Sequence, residues 1–217
     1  PCKLLAINME NHGRLEAFRN RIQEKYGDKI SAIFSNPIYL EIFDKTAGKG
    51  NAVRFVCEHF QIPLYMTHGE YFMMRALAEP IPDPVSLAEQ EFFQRAGMPQ
   101  DRVDRMWSVM RQDPFRAPQP DSFVRLRGGD ELVLGGRTWR VVIGEGHSPE
   151  HACLYCAQDE ILIAGDQLRP RITSNVLVMG TEPEANPVQL WCQSLTLLEE
   201  LAPNTLVLPS HERVFRG

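Results

Sequence analysis

GEGHSPEHACLYCAQDEILIAGDQLRPR, residues 144–171, decides how the rest of the chain is read. A histidine, His147, sits in a Gly/Ser/Pro turn. A hairpin pattern follows, and Asp166 comes directly after a glycine that ends an apolar run. Both polar residues therefore fall on loops at strand ends, where a rigid sheet can aim them. His211, in LVLPSHERVFRG, has the same placement: apolar strand, turn, histidine. Polar residues on such loops make metal or catalytic sites.

The spacing around this stretch predicts mixed α/β structure. Strands are expected at Phe123–Leu126, Glu131–Leu134, Thr138–Ile143, Ala152–Ala157, Glu160–Ala164 and Thr205–Leu208, with Gly135-Gly136 as a two-residue hairpin turn. Residues 169–179 read as extended, and Asn186 or Pro187 opens a helix to Leu201. Upstream, Thr67-x-x-Glu70 and Ser86-x-x-Glu89 are capping boxes. A third helix from about Gln100 carries a Val103/Met106/Trp107/Met110 stripe, read as packing or a lid. Asp113–Asp121 is a proline-rich loop. Earlier still, Lys3–Asn8, Ile30–Ser35 and Ile38–Phe43 read as strands. Helices are expected from Asn11 or His12 and over Asn51–Phe60, the latter with Val53, Val56, Cys57 and Phe60 on its apolar side.

The charges divide the chain. All five lysines lie in the first 49 residues; from Leu64 onward there are 14 arginines and no lysine. Net charge is about +2 up to Pro63 and about −7 beyond it, giving −5 in all. This points to two pieces of separate ancestry joined near residue 63. The acidic balance argues against a nucleic-acid partner, and no apolar run approaches a membrane span. Five scattered cysteines suit a reducing cytoplasm. Cys153 and Cys156 form a CxxC inside a strand, where residues three apart face opposite ways, so packing is the expected role.

Residues 2–62, with YLEIFDKTAGKGNAVRFVCEHFQI, resemble the Cof-type branch of the haloacid dehalogenase phosphatases. That resemblance implies a phosphoryl contact for Lys49. The chain nevertheless lacks the Asp-x-Asp nucleophile motif and the later acidic motif for Mg²⁺, so Lys49 alone cannot run that chemistry. From Leu64 on, GDELVLGGRTWRVVIGEGHSPEH, ILIAGDQLRPRITSNV and LVLPSHERVFRG resemble three metal motifs of the metallo-β-lactamase superfamily of metal-dependent hydrolases. The resemblance implies an αββα sandwich, here with its N-terminal portion replaced by a foreign β-α-β-β-α segment. Residues 1–63 and 64–217 are expected to pack together as one domain. It also implies His147 on one metal, Asp166 bridging, His211 on the second, and His151 as a supporting residue near the site.

The ligand count then falls short. The family's remaining ligands come from a His-x-His-x-Asp-His motif, and no His-x-His occurs in this sequence. Each metal is left with two protein ligands, Asp166 shared, where a catalytic zinc uses three. Asp101, Asp104, His59, His68 and Glu70 are the conceivable substitutes, but His12, His59, His68 and His151 read first as surface or packing histidines. Both chain ends read as cut. The expectation is a recombined, artificial chimera that folds without efficient catalysis and holds Zn weakly or at partial occupancy, with homo-oligomers forming through exposed sheet edges. The rival reading is an active zinc hydrolase with non-standard ligands.

Overall fold

A computed structural model of the chain describes residues 3–36, 38–111 and 120–217. The chain divides into two compact units: Pro1–Ile62 with Ala78–Ile81 and Asp104–Asp121, and Pro63–Leu77 with Pro82–Val103 and Ser122–Gly217.

The first unit runs β1 (Leu4–Ile7), α1 (His12–Tyr26), β2 (Ile30–Asn36), β3 (Tyr39–Asp44) and α2 (Lys49–Phe60). This is the β-α-β-β-α order read from the sequence. Its antiparallel sheet has the order β1-β3-β2, with Leu5 opposite Glu41 and Ala32 opposite Ile42. Asn11 caps α1 by accepting from the Arg14 N–H at 3.2 Å, one of the donors a helix start leaves open. Leu15, Ala32 and Leu40 are buried, with Phe18, Ile22 and Phe34 packed against them. The expected apolar side of α2 behaves differently. Val53, Val56 and Phe60 are all exposed and Cys57 is half-buried, so that face is not part of a core.

The second unit contains β4 (Tyr65–Met66), α3 (His68–Ala78), α4 (Leu87–Arg95), α5 (Gln100–Arg111), β5 (Val124–Arg125), β6 (Glu131–Leu134), β7 (Arg137–Gly144), β8 (His151–Cys156), β9 (Ile161–Gly165), α6 (Pro187–Glu199), β10 (Leu206–Pro209) and β11 (Phe215–Arg216). Ala78 at the end of α3 and residues 104–111, most of α5, fall in the first unit's ranges. Six strands form one sheet in the order β11-β10-β9-β8-β7-β6, and β4 and β5 form a separate parallel pair. Gly135 and Gly136 take φ of 59° and 75°, the left-handed turn that a two-residue hairpin needs. Both β8 cysteines are fully buried, because this strand is covered on both faces. Cys153, Tyr155, Leu162, Ala164, Leu198 and Val207 make the core. Val103 and Trp107 are buried, which supports packing for the α5 stripe, while Met110 is exposed.

One edge of the six-stranded sheet matters most. β8 and β9 are antiparallel, and β9 and β10 are parallel. The start of β8, the end of β9 and the end of β10 therefore lie on the same side. Residues 169–179 form no strand, and the proline-rich loop lies mostly outside the described residues. Among the described residues, no helix is long and apolar enough to cross a membrane.

Candidate metal centre

His147 lies in the β7–β8 loop, Asp166 directly after β9 and His211 after β10. The topology delivers all three to one sheet edge, and local contacts fix them there. The Ser210 N–H donates to the Gly165 carbonyl at 2.8 Å, tying the two parallel strand ends together. The β7–β8 loop is held against α6: the Glu145 N–H donates to Ser194 Oγ at 2.7 Å. Gly146 makes that approach possible. Its φ is 94°, and a Cβ there would sit 2.5 Å from both the Pro187 carbonyl oxygen and Trp191 Cβ. Gln167, fully buried, donates from Nε2 to the Glu145 carbonyl at 3.1 Å and so joins the β9 exit to the same loop.

The donor atoms face one another in a definite pattern. Asp166 Oδ2 lies 3.8 Å from His147 Nε2, and Asp166 Oδ1 lies 3.5 Å from His211 Nε2. One carboxylate oxygen thus serves each imidazole. His147 Nδ1 lies 2.9 Å from the Asn175 carbonyl oxygen. Because a carbonyl only accepts, Nδ1 carries a proton, and Nε2 is the ring atom that faces the carboxylate. Asp166 Oδ1 is buried and makes no hydrogen bond among the described residues. The chemistry of these donors suits zinc.

The number of donors does not. Among the described residues, no three His, Cys, Asp or Glu side chains converge on one metal position. The arrangement is two half-sites sharing a carboxylate, short of the three protein ligands of a catalytic zinc. The residues present do not fit a complete catalytic metal, and no reaction step can be routed through one.

A second layer, weighed only loosely from the sequence, supports Asp166. The Asp166 N–H donates to His151 Nε2 at 3.2 Å. That bond places the His151 proton on Nδ1, which lies 3.5 Å from Glu70 Oε1 and 3.4 Å from Ser148 Oγ. Ser148 Oγ also donates to Glu70 Oε1. Gly165 has φ of 54°, and a Cβ there would lie 2.3 Å from His151 Nε2. His151 is therefore a positioning residue rather than a surface histidine. Burial pushes the Glu70 carboxyl up; the hydrogen bonds from His151 and Ser148 overcome this and leave it below its ordinary value.

Glu70 reaches this place by giving up the role its motif predicted. Thr67 does not cap α3 with Glu70 closing a box. Instead, Thr67 Oγ1 donates to the Glu150 carbonyl at 2.8 Å, and the Gly69 N–H donates to the Glu150 carboxylate. Glu150 caps the helix and frees Glu70 for His151. No local pattern announces this exchange, since the partners are about eighty residues apart. The other histidines keep surface or packing roles: His12 pairs with Glu16 at 3.3 Å, His59 stacks on Phe55, and His68 lies against Phe72. The side chain of Lys49 lies outside the described residues.

Comparison with known proteins finds two family likenesses along the chain. The family model of the metallo-beta-lactamase superfamily matches residues 51–211, and that of the haloacid dehalogenase-like hydrolases matches residues 1–68. Both matches occur in one chain, consistent with a chimera of the two. A crystal structure of a beta-lactamase domain protein from Burkholderia ambifaria is 42% identical with a TM-score of 0.58, covering 72% of this chain and 42% of that one. A metallo-beta-lactamase family protein from Thermus thermophilus is 23% identical with a TM-score of 0.55, covering 71% and 48%; that likeness is one of fold. An uncharacterized protein of Aquifex aeolicus (strain VF5) is 31% identical over 108 residues, 50% of this chain and 49% of its own length. The chain thus spans less than half the length of each of these three relatives.

Proposed function

We propose, starting from a chain that belongs to the metallo-beta-lactamase superfamily, that it is a recombined, artificial hydrolase-fold protein without efficient catalysis. His147, Asp166 and His211 hold Zn weakly, at partial occupancy. The observation that carries this reading is the donor count: two imidazoles, each facing one oxygen of a single carboxylate, with no third ligand for either position among the described residues. Losing even a supporting partner of a metal ligand costs about 10–100-fold in affinity; a missing ligand costs more.

His147 and His211 would each hold one metal, and Asp166 would bridge. What this chain's own residues do is hold the donors ready. Asn175 fixes the His147 tautomer, and the Glu70–His151 pair holds the backbone of Asp166.

The test is metal analysis of purified protein, with hydrolysis of a β-lactam, a lactone and a thioester. Well under one zinc per chain after dialysis, and no turnover above background, is expected. Two tightly held zincs with ordinary enzyme rates would sink the proposal in favour of the second reading, an active zinc hydrolase with non-standard ligands. The presence of the Glu70 carboxylate beside His151 is the observation favouring that reading. The scattered cysteines favour a cytoplasmic setting. Exposed apolar residues on edge strands, Leu4, Leu5 and Ile7 on β1 and Val133 on β6, favour homo-oligomers.

A further inference from the structure

We infer that the second unit carries a binding pocket for an uncharged amphiphile: an apolar body ending in a hydrogen-bond donor. Beside His147 lies a cavity of about 510 Å³, within the range of small-molecule sites. Phe72, Met73 and Leu77 of α3 form one wall, Leu177 and Met179 a second, and Leu190 of α6 a third. Phe72 is 52% exposed and Leu177 61% exposed. Large apolar side chains left open around a concavity mark a ligand surface rather than a core.

The polar end of the cavity sets the head group. His147 and Ser148 sit there, but both protons are already used: Nδ1–H on the Asn175 carbonyl and the Ser148 hydroxyl on Glu70. What remains are the lone pairs of Ser148 Oγ, the Glu182 carboxylate and the Thr181 hydroxyl, which both donates and accepts. Among the described lining residues there is no lysine or arginine. A carboxylate or phosphate would find no cation and would meet the Glu182 carboxylate. A neutral hydroxyl or N–H finds acceptors.

The pocket does not depend on turnover. Its walls come from α3, α6 and the segment between β9 and α6, while the missing metal ligands belong to none of these. Zinc content and hydrolysis test the reading above, and binding tests this one, so the two can fail separately.

The experiment titrates the full chain with N-phenyl-1-naphthylamine, a neutral fluorophore with one N–H, and then displaces it with 1-octanol or octanoate. The expected result is a saturable one-site rise in fluorescence, with 1-octanol displacing at least tenfold more tightly than octanoate. Leu177→Arg puts a cation on an exposed wall position and should reverse that order. Leu190→Arg is the second variant, and circular dichroism checks both folds. Lack of saturable binding, equal displacement by the two ligands, or Leu177→Arg behaving as wild type would overturn the proposal. So would a wild-type dimer in sedimentation velocity that Leu177→Arg dissociates, because a second copy would then be the occupant.

Discussion

Two helices of nearly equal length separate the halves of this molecule. α2 has 12 residues and α6 has 13, and both carry apolar residues at helical spacing. α6 buries Pro187, Ser194 and Leu198 and supplies Ser194 as the acceptor that holds the His147 loop. α2 leaves Val53, Val56 and Phe60 exposed. Periodicity therefore predicts that a helix forms and has an apolar side; it does not supply the surface that covers that side. Most of α2 lies where the two family matches overlap, over residues 51–68, and there the local helix forms without a covered apolar side. The segment matching the metallo-beta-lactamase superfamily brings both structure and a packed site edge.

Truncating each helix's apolar side tests this contrast and gives the largest expected effect. Leu198→Ala should cost about 2–5 kcal/mol in urea unfolding, as buried leucines do. Phe60→Ala should stay within about 0.5 kcal/mol, as exposed substitutions do. A comparable loss at Phe60 would show that α2 is covered after all, and the contrast would collapse.

The site edge can be strained directly. Gly165→Ala forces a Cβ onto His151 Nε2 at a left-handed φ. Overpacking of this kind costs about 1–3 kcal/mol. The expected readout is a lower urea midpoint together with weaker zinc retention, since the Asp166 backbone must shift. An unchanged midpoint would mean that His151 moves aside freely and does not position Asp166.

Much of this edge was readable from the residues. Gly-Gly at 135–136, the alternating apolar runs and the turn before each of His147 and His211 all act locally, within a few residues, and the elements formed where those signals lie. Asp166 followed the glycine that ends β9 for the same reason. The parts that were not readable depend on distant partners. Thr67 and Glu70 have the spacing of a capping box, yet Glu150 takes the cap and His151 takes Glu70. Residues 169–179 have apolar character but no neighbouring strand; Ser174 there donates to the Asp166 and Gln167 carbonyls, and Asn175 accepts from His147. Strand β11 is two residues long, too short for any period to reveal. The count of metal ligands was readable because it needs only composition, whereas the support behind them needed the fold.

That support predicts a smaller, more specific effect. Glu70→Gln keeps the shape but removes the charge facing His151 Nδ1. Zinc affinity, measured by chelator competition, should fall about tenfold, with secondary structure unchanged by circular dichroism. Retained affinity would indicate that Ser148 alone suffices to orient His151, and the two-layer description of this edge would need revision.

The smallest expected effect concerns the core behind the edge. Burial, with a further contribution from the Glu70 charge, pushes the Cys153 thiol from 9.0 up to about 12. The neutral thiol is therefore favoured in the folded state. Below pH 9 both states are protonated and nothing is lost. As pH rises past 9 the unfolded chain releases its proton while the folded one keeps it, so stability falls through the window from 9 to about 12. At pH 10 the loss is about 1–2 kcal/mol, read as a lower urea midpoint than at pH 8. Cys153→Ala should flatten that slope specifically. Cys192, exposed on α6, supplies the internal contrast: it should react with a thiol reagent at pH 8 in the folded protein, while Cys153 reacts only on unfolding. A folded protein that yields both thiols equally fast would place β8 outside a closed core and remove the rigid base on which the whole site edge depends.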